Sequence, residues 1–295
     1  MRISETFKLG RPVFSFEFFP PRTDQAARDL FKSIDQLQAL RPNFVTVTYG
    51  AGGSTRERTI ELVTEIKHRL RIEVAAHLTC VGHSADEIGA IAQRLRANGI
   101  ENLMALRGDP PRGEDHFVQP EGGFAHATEL IRFLRRAFDF CIGAAAYPEK
   151  HLESASLDDD VGWTGEKVGA GASFLTTQLF FEAETYFAFV RRARAAGIGV
   201  PILPGIMPVT NVAQIERFTK MCGASIPPRL RERLAQADGD EKAVVRVGVE
   251  WATAQAEALL AGGAPGIHFY TLNRSFATRE IFTRLQAERP PARRS

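Results

Sequence analysis

A chain of 295 residues with 44% hydrophobic and 24% charged side chains has the material for one sizeable core or two small ones. A net charge of +2 supplies no strong field for nucleic acid, and the basic ends of the chain read as solvated tails. Three cysteines, Cys80, Cys141 and Cys222, without CxxC spacing point away from a disulfide framework and a zinc site, and fit a reducing cytoplasm.

The start, Met1-Arg2-Ile3-Ser4-Glu5, has no apolar stretch after its positive residue, and nowhere do about 18 apolar residues run together, so neither export nor a membrane span is expected. In chain order, short β-rich runs then alternate with longer segments of helical spacing. The strands are expected at Val13 to Phe19, Asn43 to Tyr49, Val74 to Cys80 and Asn102 to Arg107, then at Cys141 to Tyr147, Phe174 to Phe180, Pro201 to Met207 and Gly266 to Leu272. Between them Leu30, Ile34 and Leu37 share one helical face, and Ile88, Ile91 and Leu95 another. Ser54 with Glu57, and Ser84 with Glu87, have the capping-box spacing where helices should begin.

Roughly eight strand-helix units at this length match an α/β fold of the TIM (β/α)8 barrel type. The competing doubly wound sheet would carry a glycine fingerprint after its first strand, and Phe19-Pro20-Pro21-Arg22 does not resemble GxGxxG. Residues 226–262 break the rhythm with two helices before the last strand. They are expected to be a helical insertion within a single 1–295 barrel domain, because the segment is too short for an independent core.

Side chains alternate along a strand, so Ser15 and Glu17 share one face of the first strand while Phe14, Phe16 and Phe18 share the other. The phenylalanines should meet helices, which turns Glu17 into the barrel. Burial there raises a carboxyl pKa and suits the group to proton donation near neutral pH; a buried Glu held by an Arg for purely structural reasons is the alternative. The same parity places His77 with Thr79, and Thr176 with Gln178, on inward faces, and Arg107-Gly108-Asp109 brings a charged pair to the mouth. Each of these has an ordinary reading as a satisfied core or turn residue, but several strands deliver polar groups to one end, which in this fold is the catalytic one.

Thr48-Tyr49-Gly50-Ala51-Gly52-Gly53-Ser54-Thr55 joins a strand to a helix through a glycine-rich turn that can hold an anion on free backbone N–H groups, or is simply a tight turn. No metal-ligand spacing and no GxSxG elbow appear, and Lys150 reads as a loop lysine rather than a Schiff base. Arg107-Gly108-Asp109 also spells an adhesion tripeptide, which a chain without secretory features gives no reason to invoke.

Seven segments, in order, resemble the short bacterial methylenetetrahydrofolate reductases over nearly the whole chain. They are Phe16-Glu17-Phe18-Phe19-Pro20-Pro21-Arg22, Val47-Thr48-Tyr49-Gly50-Ala51, Ala105-Leu106-Arg107-Gly108-Asp109, Ala145-Ala146-Tyr147-Pro148-Glu149, Thr177-Gln178-Leu179-Phe180-Phe181, Pro204-Gly205-Ile206-Met207-Pro208-Val209 and His268-Phe269-Tyr270-Thr271-Leu272-Asn273-Arg274. The resemblance implies a TIM-barrel flavoenzyme in which FAD takes hydride from NADH or NADPH and passes it to 5,10-methylenetetrahydrofolate in alternating half-reactions. It implies a cytoplasmic homo-oligomer without membrane or nucleic-acid partners, and, with the chain ending soon after its last barrel helix, no regulatory domain.

By position, the resemblance makes Glu17 the general acid that opens the folate's bridging ring, and Asp109 a carboxylate between pterin and flavin. Gln178, Gln214 and Arg274 match folate contacts, Gln178 and Thr48 also nicotinamide contacts, and Phe218 an aromatic that covers either ligand. FAD contacts fall to Tyr49, Ala51, His77, Arg107, Gly108, Asp109, Ala127, Tyr147, His151, Asp160 and Lys167. Two positions depart from the family pattern near the adenosine or phosphate end of the flavin: Trp163 replaces a short polar residue and Glu166 a basic one. A carboxylate facing a pyrophosphate opposes binding, so a reductase that holds flavin weakly or not at all, and a non-catalytic folate- or flavin-binding subunit, stand as the alternatives.

Overall fold

The computed structural model describes residues 1–49, 56–110 and 116–287. Alternating apolar runs form nine parallel strand segments: β1 (Val13–Phe18), β2 (Phe44–Val47), β3 (Val74–Thr79), β4 (Asn102–Leu106), β5 (Cys141–Ala146), β6 (Phe174–Thr177), β7 (Ile202–Leu203), β8 (Gly205–Ile206) and β9 (Gly266–Tyr270). All eight expected strands are present. The hydrogen-bonded order runs β7-β6-β5-β4-β3-β2-β1-β9-β8. Because β7 and β8 are successive halves of one strand, the ribbon's two ends meet in a single stave and the sheet closes as a (β/α)8 barrel.

That seventh stave changes partners at Pro204. Its lower half pairs with β6 through Leu175 and Ile202, and its upper half pairs with β9 through Gly205 and His268. Proline has no N–H to give to a ladder, and here its carbonyl accepts from His268 N at 2.9 Å.

The helices are α1 (Ile3–Thr6), α2 (Asp24–Gln38), α3 (Arg56–His68), α4 (Ala85–Ala97), α5 (Ala127–Ala137), α6 (Leu157–Gly169), α7 (Ala183–Ala195), α8 (Val212–Cys222), α9 (Pro228–Gln236), α10 (Glu241–Ala261) and α11 (Phe276–Ala287). The faces read from the sequence are buried: Leu30, Ile34 and Leu37 on α2, and Ile88, Ile91 and Leu95 on α4. Ser84 closes the expected capping box with Glu87, while Ser54 lies outside the described residues. Among the described residues no helix is long and apolar enough to cross a membrane.

The core has an outer and an inner layer. Phe14, Phe16 and Phe18 point outward into the strand-helix layer, where Phe14 meets Phe282 of α11 edge-on at 4.8 Å. Burying each phenylalanine contributes roughly 2 kcal/mol. Inside, residues at the strand starts, among them Val13, Phe44, Met104 and Phe174, form an apolar floor that Ile3 of α1 closes from below. Asn102 Oδ1 accepts from Ile3 N at 2.7 Å, tying that stopper to β4.

Residues 226–262 hold the two helices expected before the last strand, α9 and α10. The long helix α10 packs against α7, β9 and α11, the position of a barrel's seventh helix. Gln255 Nε2 donates to Phe180 O at 2.8 Å, and a Cβ on Gly248 would fall 1.8 Å from Val209 O, so α10 lies directly on the barrel wall. Helices α8 and α9 contribute Ile215, Leu230 and Leu234 to a satellite core with Leu179, Phe181 and Met207 beside the mouth.

Candidate active site

Glu17 lies on the inward face of β1, as the parity argument requires, and is 8% exposed. Register sets it beside Thr46 of β2 and Tyr270 of β9. Three groups converge on its Oε2: Thr46 Oγ1 donates at 3.3 Å, His77 Nε2 stands at 3.3 Å and His268 Nε2 at 3.5 Å. His77 Nε2 has no hydrogen-bond partner within geometric limits and lies within ion-pair distance of Oε2. Below them Ser15 Oγ meets His268 Nδ1 at 2.7 Å. The backbone is pinned too, since Thr271 Oγ1 donates to Glu17 O at 2.5 Å.

This arrangement overturns the expectation of a raised carboxyl. Burial does push the Glu17 pKa up, but His268 and His77 outweigh it and hold the group down at about 2. A sequence reading sees the phenylalanines around Glu17; it does not see two imidazoles delivered by β3 and β9. The resulting cluster is a buried carboxylate with a hydroxyl donor and two imidazoles at one oxygen, able to hold and release a proton at the barrel mouth.

A second group of residues follows β4 and β5. Arg107 makes a fork to Glu153, with bonds of 2.5 and 2.7 Å, and lies over the Phe117 ring. Gly108 has φ +89°, and a Cβ there would sit 2.6 Å from Val81 Cγ2. Asp109 is exposed at the rim. Tyr147 packs edge-on against His151 at 4.8 Å, and Lys167 Nζ stands 5.5 Å from the Tyr147 ring. Burial, then the charges of Asp109 and Asp160, raise the Tyr147 phenol. Burial likewise lowers His151, and it brings Lys167 down to about 8 although Asp160 opposes it.

Lys167 Nζ donates to Ala145 O at 2.7 Å. Asp160 is 3% exposed; one oxygen accepts from Ser154 Oγ at 2.8 Å, and Oδ2 is without a partner, as is Thr164 Oγ1 on the same helix. Ala127 opens α5 beside His126, whose ring stacks on exposed Trp163 at 6.2 Å. Glu166 is exposed on α6. Lys150 donates to Ser154 O at 2.8 Å, as a loop lysine does.

The remaining expected residues ring the mouth at different heights. Thr48 and Tyr49 follow β2, with the Tyr49 hydroxyl 2.9 Å from His83 Nε2; Ala51 and the glycine turn lie outside the described residues. Gln178 follows β6, its Oε1 accepting from Leu179 N at 2.8 Å. Gln214 and Phe218 stand on consecutive turns of α8, and Arg274 is exposed after β9. Next to it Leu272 and Asn273 both adopt positive φ, +51° and +60°. Asn273 pairs its amide with both backbone groups of Phe19, at 2.8 and 2.9 Å, which clamps the loop after β1 to the loop after β9.

Ser15 was read only as the neighbour of Glu17 on its face, and His268 and Tyr270 were given no role, although the alternation that turned Glu17 inward also turns 266, 268 and 270 inward. Tyr270 donates to Thr177 O at 2.6 Å across the seventh stave.

A family model described as methylenetetrahydrofolate reductase matches residues 2–286. The chain is 42% identical over 266 residues to the 5,10-methylenetetrahydrofolate reductase of Escherichia coli (strain K12), covering 90% of this chain and 88% of that one. It is 38% identical over 283 residues to methylenetetrahydrofolate reductase (NADH) 1 of Arabidopsis thaliana, covering 92% of this chain and 48% of the plant protein, and so spans about half the length of that relative. Among solved structures, an uncharacterized protein from Clostridium thermocellum, described as binding two copies of 5-methyl-5,6,7,8-tetrahydrofolic acid, is similar with a TM-score of 0.64 at 16% identity, covering 95% of this chain and 96% of that one. A dihydropteroate synthase from Xanthomonas albilineans in complex with 7,8-dihydropteroate reaches 0.55 at 12% identity, covering 96% and 95%. At those identities the likeness is one of fold.

Proposed function

This chain belongs to the methylenetetrahydrofolate reductase family, and from that membership we propose that it reduces 5,10-methylenetetrahydrofolate to 5-methyltetrahydrofolate with NADH or NADPH as the source of hydride and FAD as its carrier. The observation that carries the reading is Glu17, a buried carboxyl at the barrel mouth with a donor on one oxygen and two imidazoles in reach. Opening the substrate's bridging ring to an iminium needs a proton on the departing nitrogen, and a carboxyl held at the mouth is a means of delivering it. The low Glu17 pKa belongs to the ligand-free site. A flat ligand seated over the mouth excludes water from the carboxyl and raises that value by desolvation, so the acid form becomes accessible once substrate is seated.

The fit to FAD is supported by the second group of residues. Asp160 Oδ2 is buried without a partner and suits a ligand hydroxyl, and the buried Lys167 ammonium, which burial disfavours more than Asp160 favours, would be stabilised by a ligand anion. Arg107, Asp109, Ala127, Tyr147, His151, Asp160 and Lys167, with Tyr49, Ala51 and His77, are the residues we assign to hold it. When bound, FAD supplies the hydride that the one-carbon unit receives. Asp109 at the rim places negative charge beside that ligand, while Gln178, Gln214, Phe218 and Arg274 are assigned to the folate and Thr48 with Gln178 to the nicotinamide.

We further assign residues 1–295 to one barrel domain acting in the cytoplasm as a homo-oligomer. Three free thiols fit a reducing compartment, and sedimentation velocity tests the assembly. The decisive experiment for the reaction is an anaerobic absorbance titration of the protein loaded with FAD. Bleaching of the flavin by NADH and its recovery on adding methylenetetrahydrofolate are expected; a flavin that NADH reduces and the folate never reoxidises would sink the proposal.

A further inference from the structure

Glu17 is held unevenly. Thr46 Oγ1, His77 Nε2 and His268 Nε2 all face Oε2, and among the described residues no hydrogen bond reaches Oε1. His268 is 1% exposed and Ser15 fully buried, and the two meet at 2.7 Å through Nδ1 and Oγ. A neutral imidazole has one N–H, and the hydrogen bond made by one nitrogen decides what the other presents. We propose that Ser15 donates its hydroxyl proton to His268 Nδ1 and thereby fixes the tautomer whose Nε2–H points at Glu17, making His268 a positioning residue that keeps Oε2 an acceptor and reserves Oε1 for the transferable proton.

The arrangement works in both charge states of the acid. As a carboxylate, Glu17 accepts at Oε2 from Thr46 and His268. As a carboxylic acid it still accepts there through its carbonyl oxygen, so the proton is confined to Oε1. On delivery the Oε1–H bond breaks, the proton passes to the substrate nitrogen and the bond pair stays on Oε1. A proton from solvent at the mouth restores the acid, and His268 neither gains nor loses one. The opposite tautomer would aim the Nε2 lone pair at the carboxylate, or draw the acidic proton onto Oε2 and away from the mouth. The groups facing this unit are Glu17 and Ser15 on β1, Thr46 on β2, His77 on β3, and Tyr270 on β9, whose ring meets that of His268 edge-on at 5.1 Å. Tyr270 stays neutral because burial, then the Glu17 charge, raise its phenol well above the ordinary value.

The inference rests on the proposed reductase reading for its kinetic part, so the test has a second part that needs no turnover. Nitrogen-15 NMR of histidine-labelled protein should show a neutral Nε2–H tautomer that is missing in His268→Asn and becomes a mixture in Ser15→Ala. In stopped flow, His268→Asn and Ser15→Ala should slow the folate half-reaction by about 10- to 100-fold, a share of what a general acid is typically worth. His268→Gln, whose amide puts an N–H near the former Nε2, should recover most of the loss. Adding His268→Asn to Glu17→Gln should slow that variant no further. A wild-type protein with the Nδ1–H tautomer at His268, equal losses in the Gln and Asn variants, or losses that multiply in the double variant would each overturn the role. A wild type that carries the Nε2–H tautomer but never reduces the folate would remove the reductase reading and leave the tautomer assignment standing.

Discussion

Glu17→Gln keeps the side chain's size and removes its transferable proton. Folate reduction should fall by two or more orders of magnitude while flavin reduction by nicotinamide changes far less, in line with the roughly 10²- to 10⁴-fold value of general acid catalysis. An unchanged folate half-reaction would remove Glu17 from its role. The same residue sets an acid limit on stability. Its folded pKa of about 2 lies below an ordinary glutamate value of about 4.3, so the stabilisation is complete above the latter and is lost as pH falls through the former. The pH-dependent part of the difference between wild type and Glu17→Gln in urea unfolding should therefore disappear between about pH 4 and 2. Lys167 has the opposite profile. Its folded pKa of about 8 lies below the ordinary value of about 10.4, so the native state binds fewer protons than the unfolded one in between, and stability rises with pH across that window. An anion beside this lysine restores its proton, so FAD affinity should weaken as pH rises through 8, and Lys167→Met should lose that slope in an equilibrium fluorescence titration.

At the scale of elements, the seventh stave depends on a missing side chain. A Cβ on Gly205 would fall 2.4 Å from Thr177 O and 2.7 Å from the Tyr270 ring. Gly205→Ala should therefore cost about 1–3 kcal/mol, seen as a drop of several degrees in melting temperature; an unchanged melt would mean that Tyr270 is not wedged there. On α6, Glu166 is exposed, and surface charge pairs are worth little. Glu166→Arg should tighten FAD by no more than about fivefold. No change by equilibrium titration would show that this carboxylate does not face the phosphates. Strands were the most legible elements, because each barrel strand is a short run with period two bounded by turn residues. The place of α10 was not legible: two helices were expected before the last strand, and only packing against α7, β9 and α11 sets the second of them on the barrel wall.

Across the whole molecule, one alternation rule carried the reading a long way. It turned Glu17, His77 and Thr176 inward and the phenylalanines outward, and all of these lie as expected. What it could not supply was proximity between distant strands. Glu17 and His268 are 251 residues apart in the chain and 3.5 Å apart in space, and their meeting reverses the sign of the carboxyl's pKa shift. The apolar floor and the polar mouth likewise emerge only when the staves are set in register, with strand starts below and strand ends above.

The exchange of partners at Pro204 makes the closed wall a hoop with a clasp. On the lower side the clasp is two residues of β7 bonded to β6, on the upper side two residues of β8 bonded to β9, and between them Tyr270 reaches across to Thr177 O. A ring strained or warmed parts at its shortest overlap, so amides of Ile202, Leu203 and Ile206 should exchange with deuterium sooner than those of β3 and β4. Helix α8, which carries Gln214 and Phe218, packs Ile215 and Phe218 into the cluster that holds Met207 and Tyr270. A ligand that bridges Gln178 and Gln214 should therefore slow that exchange, which the same measurement with and without ligand checks.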